Sequence, residues 1–211
     1  MNNELANQYW RLKSLSSPSP LASKLNKAND FSQYDADFIM KYANSNTSVL
    51  DLASGTGLAI NKYYQKVKKI VAVEKYEQFS KFITQANNII VHNTDIISFD
   101  TEEKFDIINM FGIIQYFNAT EIASIYKKYR GKLKSGGKAL IKGQFGTETD
   151  VTIEGFSKEL NTNYYSEYRT IKKECSLLKE AGFSKIEVVD IYPASCNRWT
   201  NTHFYALVAE A

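Results

Sequence analysis

From Thr47 onward, short apolar runs alternate with segments whose apolar residues recur every three or four positions. The runs at 48–53, 69–74, 88–92, 105–111 and 137–142 predict strands covered on both faces, since polar residues rarely interrupt them. Between them, Phe79, Phe82, Ile83 and Ala86 predict one helical stripe, and Ile122, Ile125, Tyr126, Tyr129 and Leu133 predict another. Asn118 and Glu121, three apart, form a capping pair for the second helix, and Gly136-Gly137 supply a turn into the strand after it. Alternation of this kind predicts an α/β fold, a doubly wound and mostly parallel sheet of seven strands with an antiparallel last strand.

The two ends of the chain depart from this rhythm. Residues 4–15 predict a helix that the Ser16-Ser17-Pro18-Ser19-Pro20 run breaks, because proline lacks a donor and disfavours helix in the residue before it. Phe31, Tyr34, Phe38, Ile39 and Tyr42 then predict a second helix, so residues 1–46 read as a helical cap on a core at 47–144. Residues 145–167, rich in Gly, Thr, Asn and aromatics, read as an insertion over the sheet's edge and the active site. A closing segment, 168–211, holds a helix at about 168–181 with Ile171, Cys175 and Leu178, stopped by Gly182. Runs at 184–191 and 202–209 follow, joined too closely for an intervening helix, and predict an antiparallel pair. The expected organisation is a single domain.

Composition narrows the class. With 211 residues, 44% apolar and 23% charged, the chain can bury one sizeable core and is not a disordered sequence. Its longest apolar stretch, 105–117, contains Asp106, Asn109 and Gln115 and falls short of the roughly 20 residues of a bilayer span. Met1–Trp10 has no apolar core of a secretory signal, and Cys175 and Cys196 make no disulfide framework or metal site, so a reducing cytoplasm is expected. A formal charge of +3 gives no reason to expect a nucleic-acid partner.

The candidate chemistry lies in VLDLASGTGLAI, residues 49–60. A strand running into Gly55-Thr56-Gly57 places bare backbone at a strand's carboxyl end, where doubly wound sheets bind ligands. The next strand ends in Glu74, 17 residues past Gly57, about where a carboxylate reaches ribose hydroxyls, and the third is followed by Asp95. A dinucleotide fingerprint wants a small residue at position 60, which is Ile60, and Asp51 before the loop faces any anion unfavourably. A carboxylate there suits a ligand bearing an ammonium group.

In motif order across about 47–145, the chain resembles the class I S-adenosylmethionine-dependent methyltransferases, small-molecule branch, whose fold is Rossmann-like. FDIINMFGIIQYF at 105–117 is similar to the family's fourth-strand motif, and LKSGGKALIKGQF at 133–145 to its fifth-strand motif. The resemblance implies S-adenosylmethionine as cofactor, cradled by the 49–57 loop with Ala53, Gly55 and Gly57. It further implies Asp51 at the methionine end, Glu74 on the ribose, Asp95 and the Ile96 backbone at adenine, and Asn109 in the cofactor set. Ala53 stands where many members have Gly, and an ordinary φ is expected there. No Asn/Asp-Pro-Pro-Tyr sequence follows the fourth strand, which argues against DNA-adenine methylation.

Methyl transfer needs an aligned acceptor, excluded water and often a base. Gln115, Tyr116 and His203 are the candidate catalytic residues. Tyr164, Tyr165, Arg169 and Arg198 are candidates for a polar substrate, and anionic groups on it would suit them, since arginine matches carboxylate and phosphate geometry. Tyr192 and Trp199 add aromatic surface beside Arg198. The expected activity is methylation of oxygen or nitrogen on a small metabolite, in a sugar or polysaccharide context, by a monomer or homodimer without a membrane partner. The alternatives are an RNA or protein methyltransferase and a non-catalytic binding subunit.

Overall fold

A computed structural model describes residues 3–24 and 30–211. The parts of the expected cap at 1–2 and 25–29 lie outside these. Nine strands are described: β1 (Ser48–Leu52), β2 (Lys69–Val73), β3 (Ile89–His92), β4 (Phe105–Phe111), β5 (Leu133–Gly146), β6 (Val151–Ser157), β7 (Thr162–Tyr168), β8 (Ser184–Asp190) and β9 (Thr202–Glu210). The helices are α1 (Asn3–Ser16), α2 (Ser32–Met40), α3 (Ile60–Tyr63), α4 (Glu77–Ser80), α5 (Ala119–Arg130) and α6 (Ile171–Glu180).

Seven strands form one sheet in the order β3-β2-β1-β4-β5-β9-β8, and only β9 runs against the others. Successive side chains point to opposite faces, so each strand feeds two cores. Leu50, Leu52, Ile108, Met110 and Ile141 meet Ile122, Ile125, Tyr126 and Tyr129 of α5 and Leu178 of α6 on one face. Val49, Ile70, Ile107 and Leu140 meet Ala36, Phe38 and Ile39 of α2 and Ile60 and Tyr63 of α3 on the other. Burying each such aliphatic side chain contributes about 1.5–3 kcal/mol. Strand order reverses between β1 and β4, which opens a crevice at their carboxyl ends, where Asp51 lies opposite Asn109 in register.

Local signals hold at the helix ends. Asn118 accepts from the Glu121 amide at 3.0 Å, and Glu121 accepts from the Asn118 amide at 3.0 Å, closing the capping box. Gly182, with φ of 94°, ends α6. Gly136, with φ of 72°, makes an irregularity inside a longer β5 rather than a free turn before it.

Three expectations need correction. The stripe at Phe79–Ala86 is helical only over Glu77–Ser80. Asn61 captures the backbone beyond it, donating to the Phe82 carbonyl at 2.9 Å and accepting from the Thr84 amide at 2.8 Å, a side-chain alternative to helix. The insertion is a hairpin, β6-β7, that packs on α1 and the 114–116 turn rather than on the outer edge, with Tyr164 against Tyr9 at 5.0 Å between ring centres. Ala53 has φ of 57° instead of an ordinary value.

Candidate active site

Two cavities adjoin at the carboxyl ends of the central strands. The first, about 220 Å³, is lined by Glu74, Asp95, Ile96, Lys75 and Tyr76 from the β2 and β3 ends, with Ala6, Asn7 and Trp10 of α1 closing it. The second, about 310 Å³, is lined by Asp51, Gln115, Lys142, Tyr168, Tyr192 and Arg198, with Phe31 and Asp35 from the cap. Trp10, Ala53, Gly55, Phe111, Gly112 and Tyr116 line both.

The glycine loop between them is held by a carboxylate. Glu74 accepts from the Gly55 amide at 2.8 Å and from the Tyr76 amide at 2.9 Å. Burial pushes its carboxyl up to about 7, against those two amides, which favour the charged form. Gly55 has φ of 56°, and a Cβ there would project into open space. Gly57, at φ of 70°, does not line either cavity; a Cβ there would sit 2.7 Å from Ile83 Cγ1, so packing as well as backbone conformation requires glycine. Ala53 keeps a left-handed φ at the junction of the cavities, a conformation that costs a non-glycine residue about 1–2 kcal/mol.

Asp51, one residue before the end of β1, lies beside the second cavity and accepts from Asn109 Nδ2 at 3.1 Å. Burial pushes its carboxyl up to about 6, while Asn109 and Ser54 favour the charged form. Asn109 is fully buried and lines no cavity; it acts through Asp51, and its Oδ1 has no hydrogen-bond partner among the described residues. Asp95 accepts from Lys75 at 2.9 Å and from the Ile97 amide at 2.9 Å, and the Ile96 carbonyl accepts from Tyr129 at 2.5 Å. Lys75 also donates to Asn7 at 3.0 Å, and Tyr76 donates to the Asn7 carbonyl at 2.8 Å, so α1 is tied down over the first cavity.

Gln115 and Tyr116 do line the second cavity. Gln115 donates to the Gly112 carbonyl at 2.8 Å and leaves its Oε1 buried without a partner among the described residues. Burial pushes the Tyr116 phenol well up, which leaves it a hydrogen-bond donor and not a base. His203 is placed elsewhere: Phe204, its neighbour on β9, lines the cavity, whereas His203 turns to the opposite face and bonds Asp190 at 2.9 Å. Strand alternation therefore removes it as the base.

The expected substrate residues also separate. Arg198 lines the second cavity. Arg169 does not; it is enclosed, donating to Glu174 at 2.6 Å and to the carbonyls of Phe117 at 2.6 Å and Ile114 at 3.0 Å. Its role as a substrate contact is corrected to that of a brace under the 114–116 turn. Tyr164 is buried against Tyr9 and Tyr116, behind the cavity wall, and Tyr165 lies on the hairpin's outer face because β7 buries alternate residues.

Two residues left unassigned by the sequence complete the second cavity. Lys142 of β5 donates to Asp35 at 2.6 Å and to Tyr192 at 2.8 Å, and Tyr192 donates to Asp35. The lysine sits between the rings of Phe111 and Tyr192, at 4.9 and 5.0 Å from their centres, and Phe31 stacks on Tyr192 at 4.6 Å. The signal was available: Lys142 interrupts an apolar strand at the end where ligands bind.

Residues 49–137 match the family model described as a methyltransferase domain. With the seven-stranded sheet and the loop–carboxylate geometry, this marks a methyltransferase domain on the class I S-adenosylmethionine-dependent methyltransferase fold. No curated protein sequence matches it. Among solved structures, it is similar to 1,6-didemethyltoxoflavin-N1-methyltransferase of Burkholderia thailandensis (TM-score 0.76, 12% identity, covering 100% of this chain and 90% of that one). It is also similar to a DhpI–SAM–HEP complex (TM-score 0.75, 13% identity, 99% and 97%). A third is phosphoethanolamine N-methyltransferase 1 of Haemonchus contortus (TM-score 0.75, 17% identity, 100% and 49%).

Proposed function

We propose that the chain transfers the methyl group of S-adenosylmethionine to an oxygen or nitrogen of a small polar metabolite held in the second cavity. The observation that carries this reading is the pair of joined cavities, one bounded by strand-end carboxylates and bare backbone, the other by aromatic rings and charged side chains. When bound, the cofactor supplies an electrophilic sulfonium methyl. Glu74 is suited to the ribose diol, Asp95 and the Ile96 backbone to adenine, and Asp51 to the ammonium at the methionine end. Asp51 and Glu74, both pushed up by burial, gain from such partners, since donors to a carboxylate favour its charged form.

The acceptor's proton has a destination. Asp35 and Asp51 line the second cavity and no histidine does. With Asp51 at the cofactor end, Asp35 receives the proton through Tyr192, whose hydroxyl it already accepts. The neighbouring structures fit a small acceptor: one holds bound 1,6-didemethyltoxoflavin and another phosphoethanolamine. A chamber of about 310 Å³ suits a metabolite better than RNA or a folded protein. Among the described residues no helix is long and apolar enough to cross a membrane, and a cytoplasmic site of action is part of this proposal.

Isothermal titration with S-adenosylmethionine and S-adenosylhomocysteine, followed by product release over a panel of neutral and anionic hydroxyl and amine acceptors, tests the reading. Micromolar cofactor binding with turnover on a member of the panel supports it. A protein that binds neither compound ends it.

A further inference from the structure

Among the described residues, two of the three cations around the second cavity, Lys142 and Lys24, have carboxylate partners. Asp35 is bonded by Lys142 and Tyr192, and Asp51 sits at the cofactor end with Asn109. Lys24 at the rim pairs with Asp30 at 3.2 Å. Arg198 differs, because no carboxylate among the described residues pairs with it. Its half-buried guanidinium instead shares the cavity wall with the phenols of Tyr168 and Tyr116. A cation withdrawn from water without a counter-charge is costly, and a fixed one beside a cavity favours an anion inside it.

The mount is rigid. With its amide oriented to satisfy both ends, Gln144 accepts from the backbone amides of Arg198 at 3.0 Å and Trp199 at 3.3 Å. Trp199 Nε1 donates to the Tyr168 hydroxyl at 3.2 Å, and the Arg198 guanidinium lies 5.4 Å from the Trp199 ring centre. The guanidinium supplies forked N–H donors and the phenols supply O–H donors, a set that matches the oxygens of a carboxylate, phosphate or phosphonate.

We propose that Arg198, with Tyr168 beside it, is the docking point for an oxyanion on the acceptor, so that the substrate class is small organic acids or phosphorylated metabolites and not neutral acceptors. The proposal rests on the methyltransferase reading above and sharpens it. Binding the anion at Arg198 leaves the acceptor's nucleophile to be placed toward Tyr192 and Asp35, on the cavity wall built from β5 and the cap.

The test needs no knowledge of the true acceptor. The full chain saturated with S-adenosylhomocysteine is titrated with methylphosphonate, inorganic phosphate and acetate by calorimetry and by phosphorus NMR. Saturable binding of at least one oxyanion to the parent is expected, weakened tenfold or more in Arg198→Gln and a few-fold in Tyr168→Phe. Lys185→Ala, a change at an exposed lysine far from the cavity, leaves it within twofold. The phosphorus probes against acetate tell a tetrahedral anion from a carboxylate. S-adenosylhomocysteine affinity of Arg198→Gln within twofold of the parent shows that the site is otherwise intact. If Arg198→Gln does not fold, Arg198→Lys, which keeps the charge and loses the fork, serves in its place with an intermediate affinity expected. Oxyanions that fail to saturate the cofactor-loaded parent, or that bind the arginine variant equally well, overturn the proposal while leaving the methyltransferase reading in place. Failure of S-adenosylhomocysteine to bind the parent overturns the methyltransferase reading instead.

Discussion

The two cavities share a floor at Ala53 and Gly55 and are built by opposite means. A left-handed loop and carboxylates at the ends of β2 and β3, within 44 residues of chain between Ala53 and Ile96, shape the polar side of the first, which α1 closes. Side chains brought from α2, β5, β7 and the β8–β9 connection shape the second, as in the Asp35–Lys142 pair, 107 residues apart. A site made of backbone is hard to alter without altering the fold. One made of side chains from separate elements can change its acceptor while the cofactor end stays fixed.

The sharpest way to break this contrast is to attack the frame under the second cavity. Arg169→Ala leaves Glu174 buried without its charge partner and frees two carbonyls, and is expected to cost about 3–5 kcal/mol of stability. Chemical denaturation measures it; a variant as stable as the parent but altered in acceptor preference would restore Arg169 to the substrate list. Next in size, Glu74→Ala removes the acceptor of two loop amides and the proposed ribose contact. Calorimetry should show cofactor affinity lower by about 1.5–3 kcal/mol, the worth of hydrogen bonds to a charged group. An affinity within twofold of the parent would remove that role.

Glu74 also makes a pH prediction. Its folded carboxyl, near 7, lies above its ordinary value of 4.5, so the stability it contributes is full below about 4.5 and is lost as pH rises through 7. Without cofactor, Glu74→Gln should therefore melt higher than the parent at pH 8, by roughly 2–6 °C, with the difference closing by pH 4.5. Parallel melting curves at both values would contradict the burial of its charge.

Smaller effects probe the side-chain-built cavity and the junction. Lys142→Met leaves Asp35 with Tyr192 alone and should loosen α2 by about 1–2 kcal/mol, seen as faster proteolysis before residue 40, while cofactor affinity changes less than threefold. Equal protection of parent and variant would show that the ion pair does not hold the cap. Ala53→Gly relieves the left-handed strain at the cost of added freedom in the unfolded chain, for a net gain of at most about 1 kcal/mol. A loss of stability would mean that the methyl's contacts outweigh the strain.

These differences also set what could be read from the residues alone. The loop, Glu74 and Asp95 were legible because each sits at the end of its own strand, and strand order brings such ends together. The arrangement of Asp35, Lys142 and Tyr192 leaves no local period, since its hydrogen bonds span 50 to 157 residues. His203 was misplaced because both parities of β9 carry apolar residues, Phe204 and Ala206 on one side and Tyr205 and Leu207 on the other, so alternation did not tell its face. Arg169 looked free because the carboxylate that claims it, Glu174, lies five positions on and meets it only where α6 begins.

Trp10 stands as a common partition, one indole closing two rooms. Swinging α1 aside to exchange a spent nucleoside would therefore open the neighbouring room as well, and a retained acceptor would have to survive without that wall.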